Sequence, residues 1–180
     1  MARRCPAPIR SALLLVAAAV IGASPALADP VDPVAEVMQV TEGNWADDGT
    51  PYEEIFTDER LQRLFSADFV ARYRAASAFP AYDGSTSPFG YDVIVNAQDG
   101  CPLQGLAIKA GRAAAGRTLV TARFVFTACF GDAPEFRQVS EVRFEVVKES
   151  GRDVIDDILT GSDADGYASL KAELDTIARQ

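Results

Sequence analysis

The most suggestive ionisable residues in the sequence are Asp156 and Asp157, which lie inside the apolar segment Val-Ile-Asp-Asp-Ile-Leu. Side chains alternate along a strand, so the two carboxylates should face opposite sides of it. One of them would then be partly buried, and burial raises a carboxyl pKa towards the range that suits a general base. The alternative is a strand end at which one aspartate is solvated and the other bonds the backbone or an arginine. We favour this second interpretation.

A second group of candidates, Asn96, Gln98 and Asp99, lies between a predicted strand and Cys101. Their amides and carboxylate could line the mouth of a pocket. They could equally be turn residues whose side chains bond their own backbone. We favour the turn interpretation and keep the three residues as candidates for a binding site.

Two isolated side chains could also recognise a ligand. Arg123, on the mixed face of a predicted strand, could meet a ligand carboxylate, although a cross-strand ion pair with Glu141 or Glu145 is the simpler expectation. Trp45 is the only tryptophan and has acidic residues nearby. It could mark a recognition patch, but a solvated acidic loop with one anchoring aromatic side chain is the simpler interpretation.

Several chemistries are excluded by composition. The chain has no histidine, which removes Ser-His and Cys-His nucleophile systems, histidine metal sites and histidine pH switches. The Gly-rich stretch at residues 111–116 lacks the lysine and spacing of a phosphate-binding loop. Residues 162–166 weakly resemble a calcium loop, but two important ligand positions are not acidic. We therefore expect no catalytic motif, no metal and no cofactor.

The N-terminus has the order of features typical of a secretory signal. Three arginines in the first ten residues precede an uninterrupted apolar run at residues 12–21, and small residues follow. The run is too short to cross a membrane, which takes about 20 apolar residues. We expect a signal peptide at residues 1–28, cleavage between Ala28 and Asp29 by the general secretion route, and a periplasmic or secreted protein.

The predicted mature chain, residues 29–180, has the length of one domain. Cleavage would remove three arginines and no acidic residue, which changes the formal net charge from −9 to −12. An acidic surface repels phosphates and anionic lipids, so nucleic acid and membranes are poor partners. The expected partner is an unidentified protein or small-molecule ligand.

Two cysteines remain after cleavage, Cys101 and Cys129. In an oxidising compartment an even pair indicates a disulfide. A hairpin folded about residues 114–115 places the two cysteines nearly opposite each other, at the separation that a disulfide requires. We expect a structural bond, because redox-active cysteines usually lie close together in sequence.

The elements that must position these residues change along the chain from helical to strand periodicity. Helical spacing predicts a short helix from the Asp32-Pro33 start to Gly43, and a longer one from Thr57 in which Ser66 is a candidate break. Alternating residues then predict strands at about 91–96, 102–109, 118–130, 142–146 and 154–159, before a C-terminal helix with Tyr167, Leu170, Leu174 and Ile177. This order indicates an α+β fold, with helices packed on the apolar face of an antiparallel sheet.

The C-terminal half also contains a recognisable series of motifs. A strand is followed by Asn-Ala-Gln-Asp, two long strands and Val-Val-Lys-Glu-Ser-Gly-Arg-Asp-Val-Ile-Asp-Asp-Ile. Over about residues 50–160 this series resembles bacterial secreted domains of unknown function in the NTF2-like superfamily. In those domains the closing strand commonly begins with a Gly turn and a Trp, and Asp153 stands near that Trp position.

The resemblance implies a cone in which a curved antiparallel sheet wraps around N-terminal helices and encloses an internal pocket. The wider superfamily includes ketosteroid-isomerase-like and dehydratase-like enzymes as well as many non-enzymatic binding domains. No catalytic residue of those enzymes can be carried over by motif, and fold alone does not determine function.

Two functional hypotheses follow. The first is an exported, non-enzymatic binding or accessory domain, suggested by the missing catalytic motifs and the acidic composition. The second is a pocket enzyme, isomerase- or dehydratase-like, in which a buried carboxylate from Asp156 or Asp157 acts as general acid or base. The surroundings of these two side chains distinguish the hypotheses.

Overall fold

The structure is a computed structural model that describes Met1 and residues 29–180. The predicted signal segment, with its cysteine and the residue before the predicted cleavage site, lies outside the described residues. Within the described part of the chain, no helix combines the length and the apolar character needed to cross a bilayer.

Among the described residues, three helices precede the sheet, α1 (Val31–Asn44), α2 (Asp58–Leu64) and α3 (Ala67–Ala76). Helix α1 begins slightly earlier than predicted. The side chain of Asp29, rather than that of Asp32, accepts a hydrogen bond from the backbone N–H of Val31, at 3.0 Å. Asp32 instead lies in the first turn, where its charge favours the positive end of the helix dipole.

The boundary between α2 and α3 follows the predicted caps. The Thr57 hydroxyl accepts a hydrogen bond from the backbone N–H of Arg60, and the Ser66 hydroxyl accepts one from that of Phe69. Each satisfies a donor that an α-helix leaves free at its N-terminus. Ser66 therefore divides the predicted helical stretch in two.

Five antiparallel strands follow and pair in sequence order to form one curved sheet. The strands are β1 (Gln104–Ala110), β2 (Arg117–Val125), β3 (Ser140–Glu149), β4 (Arg152–Ser162) and β5 (Gly166–Ser169). Helix α4 (Leu170–Ile177) comes directly after β5. It begins later than predicted, because the Ser169 hydroxyl caps it and Tyr167 lies on β5.

The core lies between one face of the sheet and the helices. Alternate residues of the two central strands are buried as predicted, namely Val120, Ala122 and Phe124 on β2 and Val142, Phe144 and Val146 on β3. They belong to the same apolar cluster as buried residues of all four helices in the described chain. Each large side chain buried in this way stabilises the fold by about 1.5–3 kcal/mol.

The strand predicted at residues 91–96 is wrong. The carboxylate of Asp92 accepts hydrogen bonds from the backbone N–H groups of Ile94 and Val95, at 2.8 and 3.3 Å, and so folds the segment into a compact turn. Asp92 and Ala97 close the turn through two backbone hydrogen bonds. The apolar residues of the segment are still buried, which explains why the sequence resembles a strand.

The long strand predicted at 118–130 ends at Val125, and a short 3₁₀ helix, Ala128–Phe130, follows it. The predicted disulfide between Cys101 and Cys129 is nevertheless present, with Cα atoms 5.7 Å apart. Cys129 lies on the 3₁₀ helix and not at a paired position of a β-strand. The pairing is therefore confirmed, while the strand geometry from which it was predicted is corrected.

Candidate functional site

Asp156 and Asp157 lie at a β-bulge, where the predicted alternation of β4 is interrupted. Glu145 on β3 pairs with Asp157, while the next residue, Val146, pairs with Ile155. Asp156 is thus an extra residue on β4. Because of the bulge, both consecutive aspartates are buried, each with 7% of its surface exposed.

Three side chains from different elements surround the Asp156 carboxylate. Its Oδ1 atom accepts hydrogen bonds from the Ser66 hydroxyl at 2.8 Å and from Lys171 Nζ at 3.1 Å. Its Oδ2 atom accepts one from Arg117 Nη1 at 2.9 Å. Burial acts to raise the pKa of Asp156, but the bonds from Ser66 and Lys171 and the charges of Lys171 and Arg117 outweigh it, so the pKa lies below its ordinary value.

The Asp157 carboxylate holds the start of the C-terminal helix. It accepts hydrogen bonds from the hydroxyl of Ser169 and from the backbone N–H of Lys171. The same Ser169 hydroxyl accepts a bond from the backbone N–H of Ala172 and so caps α4. We call Asp156, Asp157 and these bonded partners the aspartate cluster.

The aspartate cluster therefore has a structural role. Ser66 caps α3 and Ser169 caps α4, so each buried carboxylate is fixed to the N-terminus of a helix, where negative charge is favourable. The raised pKa expected of a general base is wrong for Asp156. Asp156 is instead held ionised by its partners, and Asp157 is engaged by a helix cap.

A different set of residues forms an open cleft of about 630 Å³, which we call the aromatic cleft. Its lining comes only from residues 44–54 and 82–98, the segments that connect α1 with α2 and α3 with β1. It contains five aromatic residues and two carboxylates: Trp45, Tyr52, Tyr82, Phe89, Tyr91, Glu54 and Asp92. Of the earlier candidates, Gln98 lies here.

Trp45 is fixed in the cleft wall by a hydrogen bond from its indole and by packing of its ring. Its indole Nε1 donates a hydrogen bond to Asp92 Oδ2 at 2.8 Å. The ring packs edge-on against Phe126, with centroids 6.4 Å apart. A Cβ atom on Gly100 would lie 2.9 Å from the indole, so only glycine permits this approach.

Tyr82 lies across the backbone of Gly90. Its hydroxyl donates to the Gly90 carbonyl at 3.0 Å, and a Cβ atom on Gly90 would stand 2.7 Å from that hydroxyl. The side-chain amide of Gln98 donates to the same carbonyl at 2.9 Å. The Gly90 carbonyl therefore accepts two hydrogen bonds, which use both of its lone pairs.

The other two tyrosines experience a negative environment. The Tyr91 hydroxyl donates to Glu173 at 2.8 Å, and burial, together with this bond and the Glu173 charge, raises the pKa of Tyr91 above its ordinary value. Desolvation, followed by the charges of Glu54 and Asp92, raises the pKa of Tyr52. The pKa of Tyr52 is raised in this way although 73% of the residue is exposed.

Asn96 and Arg123 line a separate cleft of about 430 Å³ with Glu141 and Tyr167. Arg123 Nε lies 2.9 Å from Glu141, so the cross-strand ion pair is present. Glu141 also accepts hydrogen bonds from Arg143 and Tyr167. Burial acts to raise the pKa of Glu141, and these partners outweigh it and lower the pKa. The charges in this cleft thus satisfy one another.

Asp99 is exposed and accepts a hydrogen bond from the backbone N–H of Gly100, which is a turn contact. The six predicted candidates consequently lie in several places, with Asp156 and Asp157 in the aspartate cluster, Gln98 in the aromatic cleft, Asn96 and Arg123 in the smaller cleft, and Asp99 on a turn. The structure does not bring them together in one site.

A wider cleft of about 870 Å³ runs along α1 and is lined mainly by polar and acidic residues. Arg60 lies in it and pairs with Glu53 and Glu36. The hydrogen bond from Arg63, with the charges of Arg63 and Arg60, outweighs desolvation and lowers the pKa of Glu36. Arg60, the basic residue in this lining, has a side chain that is only 14% exposed and is already paired. We therefore assign the candidate site to the aromatic cleft.

Sequence analysis considered Gln98, and Trp45 with nearby acidic residues that include Glu54, but favoured simpler interpretations for both, and it missed the tyrosines of the aromatic cleft. These residues are spread over two connecting segments, one of which looks like an ordinary loop rich in Pro, Gly and Ser. Their shared feature, aromatic residues in connections, becomes a signal only once the two segments are known to be adjacent. Comparison of the chain with protein-family models, curated proteins and solved structures finds no match.

Proposed function

We propose that this chain is a small exported binding domain of NTF2-like architecture, and that it binds a small-molecule ligand in the aromatic cleft without transforming it. The observation that supports the proposal is the composition of the cleft, which combines five aromatic rings with a few fixed polar groups. Its volume lies in the range typical of ligand sites.

The exposure of the tyrosines supports the same conclusion. Tyr52 and Tyr82 are 73% and 59% exposed, although large aromatic side chains gain much from burial. Trp45 and Tyr91 are fixed beside them by hydrogen bonds. A ligand that covers these rings would gain apolar contact at low entropic cost, because much of the cleft wall is already ordered.

A binding role accounts for the state of the carboxylates better than catalysis does. Asp156, the residue most suggestive of a general base, has a lowered pKa and three bonded partners. A catalytic base at neutral pH needs a pKa nearer to the working pH and access to substrate. The disulfide and the curved antiparallel sheet are compatible with an exported domain of this architecture.

The proposal is tested by screening a small-molecule panel for thermal stabilisation. The full chain is expressed with its N-terminal segment in a bacterium, so that the cell can export and oxidise it. The panel contains ammonium compounds, sugars, carboxylates and neutral aromatics. We expect at least one class to raise Tm in wild type, since a ligand that binds only the folded state stabilises it.

Tyr52→Ala and Tyr82→Ala should abolish most of this shift. Phe130→Ala is the matched control, because Phe130 is an exposed aromatic residue, 47% accessible, that does not line the cleft. The proposal fails if no compound shifts Tm, or if every shift survives both tyrosine substitutions. Turnover of a bound compound that is lost in Asp157→Asn would show an enzyme instead.

A further inference from the structure

Three of the four polar ring groups that line the aromatic cleft, all but the Tyr52 hydroxyl, donate hydrogen bonds within the described part of the protein. The Trp45 indole donates to Asp92, the Tyr82 hydroxyl to the Gly90 carbonyl and the Tyr91 hydroxyl to Glu173. A sugar or an anion needs free donors from its site. The rings of these residues remain as cleft wall, while their polar ends are occupied.

The acceptors of Asp92 and Gly90 are also occupied, and among the described residues Glu54 uses only one of its two carboxylate oxygens. Asp92 Oδ1 accepts bonds from two backbone N–H groups, and Oδ2 accepts the indole bond. The Gly90 carbonyl accepts from Tyr82 and Gln98. A primary ammonium group brings three N–H donors that would need acceptors in the cleft. Because Glu54 offers one unbonded carboxylate oxygen for three N–H groups, this arrangement favours a cationic group without N–H donors.

The charge of the cleft is negative. Glu54 and Asp92 are in its lining, and no lysine or arginine of the described residues lines it. Glu54 uses one carboxylate oxygen for a 3.3 Å contact with the backbone N–H of Phe56, so that end of the side chain is fixed. Negative charge beside aromatic faces attracts cations, because the ring quadrupole presents its negative face.

We propose that the ligand of the aromatic cleft carries a methylated ammonium group, held against the aromatic rings with Glu54 as its counter-charge. This inference rests on the proposed function, since it names the ligand class of the same site. A quaternary ammonium has a full charge and an apolar surface but no N–H group. It therefore matches a cleft that offers rings and negative charge while most of its donors and acceptors are engaged.

The decisive experiment compares choline with its neutral isostere 3,3-dimethylbutan-1-ol, in which carbon replaces the ammonium nitrogen. Both are titrated by calorimetry into the full-length chain, expressed and exported as above, at low ionic strength. We expect choline to bind about tenfold more tightly than the isostere, because only choline gains the cation–π and Coulomb attraction. Added salt should weaken choline binding alone.

Two substitutions locate the effect. Glu54→Gln keeps the size and an acceptor oxygen but removes the charge, and it should reduce the preference for choline over the isostere several-fold. Glu135→Gln removes one charge from an exposed position outside the cleft and should leave the preference unchanged. Tyr52→Ala should weaken choline binding about fivefold, the value expected for loss of one cation–π contact.

The outcomes separate this inference from the proposed function. Equal affinity for choline and the isostere would overturn the cation requirement, while binding that depends on Tyr52 would still support a ligand site. No binding of choline at millimolar concentration, with another class of compound stabilising the protein through the cleft, would overturn the inference alone. No cleft-dependent binding of any class would overturn both.

Discussion

The aspartate cluster and the aromatic cleft both place carboxylates beside fixed partners, but they do so with opposite results. In the aspartate cluster, Asp156 and Asp157 are buried and their oxygens accept bonds from two helix-capping serines, Lys171 and Arg117. In the cleft, the polar groups of Trp45, Tyr82 and Tyr91 are also bonded, yet Tyr52 and Tyr82 remain 73% and 59% exposed. Buried carboxylates alone are therefore a poor guide to function in this chain.

The difference reflects where each region lies in the fold. The aspartate cluster joins β2, β4, α3 and α4, so it connects elements that are distant in sequence. The cleft is formed by connecting segments that contribute less to the core. Groups that connect elements should determine stability, whereas groups in the connections should determine binding.

The largest effect is expected from Asp156→Asn. It removes a buried negative partner of Lys171 and Arg117 and should cost about 3 kcal/mol, the low end for a broken buried pair, because Lys171 keeps Asp68 and Arg117 keeps Glu145. The matched control is Asp68→Asn, because Asp68 pairs with the same Lys171 but has a side chain 51% exposed. The control should cost at most about 1 kcal/mol. Urea unfolding monitored by circular dichroism measures both, and equal costs would contradict the structural role of the cluster.

Removal of the disulfide by the double substitution Cys101→Ser, Cys129→Ser should cost about 2–4 kcal/mol, because the bond closes a loop in the unfolded chain. The two cysteines are 28 positions apart. Mass analysis after alkylation, with and without reductant, first establishes that the bond is present. Two alkylated cysteines without reductant would show that the exported chain does not form it.

The acid stability should depend on Asp156. Its folded-state pKa lies below the ordinary value, so the unfolded chain takes up its proton first as the pH falls. The stability that Asp156 provides is complete above about pH 4 and is lost as the pH falls through the folded-state pKa. The difference in unfolding free energy between wild type and Asp156→Asn should therefore become smaller in acid. A difference that stays constant until the Asp156 carboxylate is fully protonated would refute this account.

The smallest effect on stability is expected from Tyr52→Ala. The residue is 73% exposed, and surface substitutions usually change stability by less than about 0.5 kcal/mol. Unfolding of this variant in urea should therefore match wild type although its response to ligands is reduced. A large destabilisation would mean that Tyr52 supports the fold, and the contrast between cleft and cluster would fail.

The features that sequence analysis predicted well depend on local patterns. Alternation on β3 places Val142, Phe144 and Val146 in the core, and the hydroxyls of Thr57 and Ser66 begin helices. Each of these depends on neighbours within a few residues, where periodicity and capping act directly. The disulfide was also predictable, because the two cysteines of the predicted mature chain can pair in only one way.

The features that it missed depend on contacts between distant segments. The apolar run at residues 93–95 resembles a strand, but the Asp92 side chain satisfies two backbone donors and produces a turn. The bulge at Asp156 likewise follows from its distant partners Ser66, Arg117 and Lys171. Local propensity carries no information on such partners, so neither the cleft nor the cluster could be assembled from the sequence.

The origin of the cleft lining, residues 44–54 and 82–98, has a consequence for how this protein could change over time. Apart from the last residue of α1, the lining contains no residue of a helix or strand. Replacement of the exposed lining residues of these segments, with the buried Val93, Ile94 and Val95 retained, would exchange the ligand without altering strand pairing or the aspartate cluster. The domain could thus acquire new specificities through changes in its connecting segments. A transplant of both segments onto another curved sheet would have to keep Gly90 and extend to Gly100, because Tyr82 and Trp45 approach these glycines so closely.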